Sequence, residues 1–126
     1  MIVGIGTDII EIERVESAIK SNEKFLKKIF TIEEQKMFTE KYMRNEVIAG
    51  NFSAKESISK ALGTGIRGFS LKDIEILRDD LGKPVVKLYG NCKELADKLG
   101  VTDIHITISH NRSMAISYAV MERKDN

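Results

Sequence analysis

The chain has 126 residues, of which 20 are basic and 19 acidic, giving a formal net charge of +1; 42% are hydrophobic. This length sets one domain over residues 1–126 as the expectation, and the near-neutral charge excludes wholesale binding of a nucleic-acid backbone, which calls for a strongly basic surface. A single cysteine, Cys92, excludes an internal disulfide and points to a reducing compartment, the cytoplasm. The apolar start, Met1 to Ile5, lacks a basic flank and is too short for a signal peptide or a membrane span.

Ile2 to Gly6 reads as a short buried strand ended by Thr7-Asp8. Glycines at 4 and 6 are unusual inside a strand and point to close approach of another backbone or of a ligand. They are not a dinucleotide fingerprint, because the third glycine is missing. Asp8 at a strand end suits a helix cap, a turn or a metal ligand. Ile9 to Lys20 reads as a helix with Ile12, Val15 and Ile19 on one side. A short helix over Glu23 to Ile29 follows, and Lys20, Lys24, Lys27 and Lys28 make this stretch locally basic. Such a run is either a solvated face or a docking surface for an acidic partner.

Thr31-x-x-Glu34 is a capping box that starts a helix near Ile32 and carries it to about Lys41. The next helix starts as early as Arg44 and holds the densest chemistry in the chain. Ala54, Ile58, Ala61 and Leu62 form its apolar stripe. Ser53, Glu56, Ser57 and Lys60 fall at i, i+3, i+4 and i+7, so two hydroxyls, a carboxylate and an ammonium share one polar stripe. Gly63-Thr64-Gly65 then ends the helix. The plain structural reading is a surface helix with a Glu56–Lys60 ion pair and a glycine cap. Beyond it, residues 68–72 read as a loop, Asp73 to Arg78 as a strand, 79–83 as a turn and Pro84 to Tyr89 as the return strand. Asn91, with Glu94 three residues on, reads as the cap of a helix ended by Gly100. Thr102 to Ser109 alternates strictly, with Ile104, Ile106 and Ile108 to one face and His105, Thr107 and Ser109 to the other. A turn at 111–113 leads to a last strand, Met114 to Glu122. The order predicts an α+β fold with helices packed on a mainly antiparallel sheet.

Chemically, Asp8 and Glu56 are candidate ligands for a hard cation. Mg²⁺ takes only one or two carboxylates and fills its octahedron with water and substrate phosphate. Lys60, one turn after Glu56, could neutralise such a phosphate, and backbone N–H groups around Gly63 to Gly65 could add donors. Zinc fits less well, with one cysteine and two histidines of opposite strand parity, His105 and His110. His105 is either a structural histidine or a phosphate or proton-transfer group.

Four stretches carry a resemblance: Gly4-Ile5-Gly6-Thr7-Asp8-Ile9 followed by Arg14; Phe52 to Gly65; Gly82-Lys83-Pro84; and Ile104 to His110. In order and spacing they resemble the holo-[acyl-carrier-protein] synthases, the small stand-alone group of the 4′-phosphopantetheinyl transferase superfamily. The resemblance spans essentially the whole chain and implies transfer of phosphopantetheine from coenzyme A to a serine of apo acyl carrier protein, in the service of fatty acid biosynthesis. It implies that Asp8 and Glu56 hold Mg²⁺ on the pyrophosphate and that Lys60 contacts phosphate. Gly63, Thr64 and Gly65, and Gly82, Lys83 and Pro84, would lie along the nucleotide. His105 would stand near the reacting phosphates, and Arg14 would contact the carrier protein. The serine proton would pass to a metal-bound water, Glu56 or His105. It further implies a homotrimer whose sites lie between neighbouring subunits, with His105 coming from the neighbour. There are two departures. Asn51 stands where the family commonly has a basic residue; if that residue contacts the adenosine phosphate, affinity for coenzyme A should be weaker, or Arg44 or Lys55 must compensate. The first helix carries three acidic residues, Glu11, Glu13 and Glu16, beside Arg14.

Overall fold

The computed structural model describes residues 1–63 and 67–125. In chain order the elements are β1 (Ile2–Glu11), α1 (Ile12–Ser21), α2 (Phe25–Ile29), α3 (Ile32–Glu40), α4 (Asn45–Ala61), a 3-10 turn at Leu71–Asp73, β2 (Ile74–Arg78), β3 (Pro84–Leu88), α5 (Gly90–Lys98), β4 (Asp103–His110) and β5 (Met114–Glu122). Two antiparallel sheets form. One has the strand order β1-β5-β4 and the other is the β2–β3 hairpin. The helices pack on them, so the class is α+β as expected. No helix among the described residues is long and apolar enough to cross a membrane.

Two boundaries differ from the sequence reading. β1 does not stop at Thr7-Asp8; it stays paired with β5 from Ile2 to Glu11, and α1 starts at Ile12 rather than Ile9. Tertiary pairing overrides the weak strand preference of Gly and Asp. Asp8 is therefore a mid-strand residue opposite Ser117, not a cap. Asn91 does not cap α5 either. Tyr89 occupies the cap position, and the Asn91 side chain donates to the Gly68 carbonyl (3.0 Å).

α4 runs through the middle and touches both cores. Ala54, Ile58, Ala61 and Leu62 pack with Ile74, Ile76, Cys92 and Met121. At its start, Ile48 and Ala49 pack with Val15, Phe30, Phe38 and Ala115. Burying one such isoleucine or phenylalanine contributes about 1.5–3 kcal/mol. The capping box at Thr31 forms as read: Thr31 Oγ1 accepts from Glu34 N (3.1 Å) and Glu34 Oε1 accepts from Thr31 N (3.0 Å).

The glycines of β1 explain how α4 is seated. A Cβ at Gly4 would overlap the carbonyl oxygen of Ala61, and one at Gly6 that of Ser57. The close approach is thus backbone on backbone. Gly50, inside α4, leaves room for Ile108, whose Cγ2 would stand 2.9 Å from an added Cβ.

Candidate active site

The polar stripe of α4 turns toward β1 rather than toward solvent. Ser53 and Ser57 are buried. Ser53 Oγ donates to the Asp8 carbonyl (3.1 Å) and meets Ser117 Oγ at 2.8 Å. One turn on, Glu56 and Asp8 line the same cavity of about 350 Å³, together with Arg14, Phe25 and Phe52. Lys60 Nζ donates to the Thr7 carbonyl (3.0 Å) and lies 3.4 Å from Asp8 Oδ1. Asp8, Glu56, Lys60 and Arg14 therefore come together from three elements, β1, α4 and α1.

Two carboxylates side by side repel. Burial first, and the charge of Asp8 second, push the Glu56 carboxyl above its ordinary range, while Lys60 pulls the other way. The pair is held apart from solvent on one wall and open to the cavity on the other. That is an oxygen donor set suited to one hard cation, whose charge would relieve the repulsion. Among the described residues no group of three or more His, Cys, Asp or Glu side chains is placed to hold a metal ion, so such a cation would take its remaining ligands from water or substrate.

His105 is not brought to this cluster within the chain. Cross-strand pairing puts His105, Val120 and Ile5 in one row on the outer face of the sheet, whereas Asp8, Ser117 and Ile108 sit on the face covered by α4. His105 Nε2 lies 3.0 Å from Glu122 Oε1. Arg14 is exposed at the cavity rim. Gly63 closes α4 at φ +83, with its N–H donating to the Lys60 carbonyl (2.9 Å); Thr64 and Gly65 lie outside the described residues. In the 79–83 turn, Asp79 Oδ1 accepts from the N–H groups of Leu81 and Lys83 (both 2.9 Å), and Gly82 takes φ +85. Gly82 and Pro84 border a cleft on the β4 side with Arg44, Arg78 and His110, away from Asp8.

The sequence reading missed a buried polar network beside the site. Lys55 and Glu34 are both fully buried and paired at 2.7 Å. Lys55 Nζ also donates to the carbonyls of Leu71 (3.0 Å) and Ile74. Glu34 Oε2 further accepts from Asn51 Nδ2 (3.0 Å) and Ile76 N (3.2 Å). Burial pushes the Lys55 amine down and the Glu34 charge opposes it. Lys55 is therefore spent inside the fold and cannot compensate for Asn51 at a ligand. Asn51 is buried as well, and Arg78 Nη2 donates to its Oδ1 (2.8 Å). The Thr31–Glu34 capping box was the one sequence signal pointing at this network. Cys92 is equally unavailable: burial, with Asp73 adding, pushes its thiol up to about 12.

Comparison with known proteins gives the family. The 4′-phosphopantetheinyl transferase superfamily matches residues 4–119. A holo-[acyl-carrier-protein] synthase of Clostridium perfringens is 57% identical over 126 residues, covering 97% of this chain and 95% of that protein. The structure of the Bacillus anthracis holo-(acyl-carrier-protein) synthase in complex with CoA (3′,5′-ADP) superposes with a TM-score of 0.80 at 37% identity, covering 98% of this chain and 99% of that one. The Helicobacter pylori enzyme in complex with coenzyme A gives 0.82 at 32% identity, covering 94% and 99%. The chain belongs to the 4′-phosphopantetheinyl transferase superfamily, among the holo-[acyl-carrier-protein] synthases.

Proposed function

We propose that this protein transfers the 4′-phosphopantetheine group of coenzyme A to a serine of apo acyl carrier protein, in the cytoplasm and for fatty acid biosynthesis. The observation that carries the reading is the convergence of Asp8 from β1 and Glu56 from α4 on one open cavity, with Lys60 Nζ 3.4 Å from Asp8 Oδ1. The family relationship supplies the substrates.

In the reaction the serine oxygen forms a bond to the phosphorus that carries pantetheine. The P–O bond to the bridging oxygen breaks, adenosine 3′,5′-bisphosphate leaves with the electron pair, and the serine proton passes to a base, for which Glu56, His105 or a metal-bound water would serve. Asp8 and Glu56 would hold Mg²⁺, the donor set being two carboxylates open to substrate oxygens. Held there, such an ion would supply Lewis-acid stabilisation of charge on the pyrophosphate. Lys60 stands beside the pair and places a positive charge where the leaving phosphate gathers negative charge. Ser53 holds the Asp8 backbone, so the two carboxylates keep their spacing before substrate arrives. Arg14, at the rim, would meet the acidic carrier protein. Charge there raises the rate of encounter more than the affinity.

The outer sheet face supports a homotrimer. Ile5, Ile9, Ile116 and Tyr118 are exposed there, and His105 lies in the same layer. An exposed apolar face of this kind is what a subunit interface would cover. Closing it around a three-fold axis would bring the His105 of one subunit toward the carboxylates of the next.

Intact-mass spectrometry of apo acyl carrier protein, incubated with the protein and coenzyme A with and without Mg²⁺, tests the reading. A metal-dependent gain equal to one phosphopantetheine is expected. Coenzyme A binding with no transfer to any carrier protein would reduce the chain to a binding module.

A further inference from the structure

The inward row of β5 runs Ala115, Ser117, Ala119 and Met121, all buried. Alanines fill the positions on either side of Ser117, so packing alone calls for no hydroxyl there. Ser117 pairs directly with Asp8 across β5 and β1.

α4 carries three buried serines, and they behave differently. Ser57 Oγ donates to the Ala54 carbonyl (3.0 Å) and Ser59 Oγ to the Lys55 carbonyl (2.9 Å). Both hydroxyls return to their own helix, the common habit of a serine inside a helix. Ser53 leaves its helix. Its Oγ donates to the Asp8 carbonyl (3.1 Å) and meets Ser117 Oγ at 2.8 Å. A serine hydroxyl has one proton, and a carbonyl can only accept. The Ser53 proton therefore goes to Asp8, and Ser117 supplies the proton between the two hydroxyls.

This relay completes a clamp with two points. Lys60 Nζ donates to the Thr7 carbonyl (3.0 Å), as Ser53 Oγ does to the Asp8 carbonyl. These carbonyls belong to the two peptide groups that flank the Asp8 α-carbon. Each peptide is planar, so holding both fixes φ and ψ at Asp8 and the direction in which its carboxylate leaves the strand. Both holds come from α4, the helix that also carries Glu56. Thr7 Oγ1 donates to the Ser117 carbonyl (3.0 Å) and so anchors the source of the relay.

We propose that Ser117, acting through Ser53, is a positioning residue that sets the Asp8 carboxylate against Glu56 for the cation. This rests on the transferase reading above. Without the Ser117 hydroxyl, Ser53 Oγ has no donor to aim it and is free to turn back onto the Ala49 carbonyl of its own helix, as Ser57 and Ser59 do onto theirs. Asp8 then keeps one hold of two. A cation bound through two carboxylates depends on their relative direction, and groups that orient ligands act on its affinity.

Mn²⁺ titration in the presence of coenzyme A, read from the electron paramagnetic resonance of the free ion against a coenzyme A blank, tests this. Ser53→Ala should weaken Mn²⁺ by roughly tenfold, the low end for a group that orients a ligand. Ser117→Ala acts one bond further out and should weaken it by about threefold to tenfold. The double variant should bind no more weakly than Ser53→Ala alone, because Ser117 acts only through Ser53. Ser117→Ala places an alanine between two alanine positions of the same row, so its fold should hold. In turnover it should need several-fold more Mg²⁺ for half the maximal rate and regain most of its kcat at saturating metal. A merely structural serine would lower the melting temperature and leave the metal dependence unmoved. Unchanged Mn²⁺ affinity in Ser117→Ala overturns the proposal, as do losses that add in the double variant. Failure of the transferase reading looks different: the unmodified protein would neither bind Mn²⁺ nor transfer phosphopantetheine, and the proposal would go with it.

Discussion

Lys55 and Glu56 are neighbours on one helix and live in opposite worlds. Lys55 is sealed, paired with Glu34 and bonded to two carbonyls. Glu56 is half-buried, repelled by Asp8 and open to a cavity. The first arrangement satisfies every donor it has; the second leaves charge waiting for a partner. A lysine and a glutamate adjacent in sequence therefore divide the labour, one fixing the helix and the other presenting chemistry. The lesson is that satisfaction, rather than burial or charge alone, separates a structural polar group from a functional one.

The sharpest way to break the contrast is Lys55→Met. Removing one partner strands the buried Glu34 charge, and a loss of about 3–5 kcal/mol is expected in urea unfolding. The double variant Lys55→Met/Glu34→Gln should lose less than the sum of the two single variants. A loss below about 1 kcal/mol for Lys55→Met would end the distinction. Next in size is Glu56→Gln, which should lower kcat on the order of 10²–10³-fold, the usual cost of deleting one preorganised charge-stabilising group. Its fold should survive, as read by circular dichroism. Arg14→Glu is expected to raise KM for the carrier protein by roughly tenfold at low salt, with the gap shrinking as salt rises.

The smallest effect is on stability and concerns pH. Folding raises the Glu56 carboxyl above 4.5, so the folded chain binds more protons than the unfolded one in the window just above that value. Stability therefore falls as pH rises through the window, and no penalty exists below it. Glu56→Gln has no such penalty. Its melting temperature should exceed that of the unmodified protein at neutral pH, and the two should converge as pH drops toward 4.5. Parallel curves would mean that the carboxylate pair is not strained.

Much of this was legible in the sequence. The period of Ala54, Ile58, Ala61 and Leu62 placed the core face of α4, the Thr31–Glu34 box placed the start of α3, and the alternation of Ile104, Ile106 and Ile108 placed β4. The polar stripe of Ser53, Glu56 and Lys60 was visible by its spacing. That it turns against a strand was not, because the partner, Asp8, is far away in sequence and its strand end was misjudged. Thr7-Asp8 read as the strand's end, yet pairing with β5 carried β1 through to Glu11. The Glu34–Asn51–Lys55–Arg78 network was illegible for a related reason. Its bonds join positions 17, 21 and 27 apart across three elements, and no local pattern encodes such a meeting.

The seating of α4 on Gly4 and Gly6 has one more consequence. The strand and the helix that carry the two carboxylates are seated main chain on main chain at Gly4 and Gly6, and Ser53 Oγ adds a hydrogen bond to the Asp8 carbonyl. Core mutations elsewhere in the molecule can then make active copies rarer, but cannot make each copy gradually worse. In a series of destabilised variants, the fraction of competent molecules should follow the folded population, while turnover counted per folded molecule stays flat.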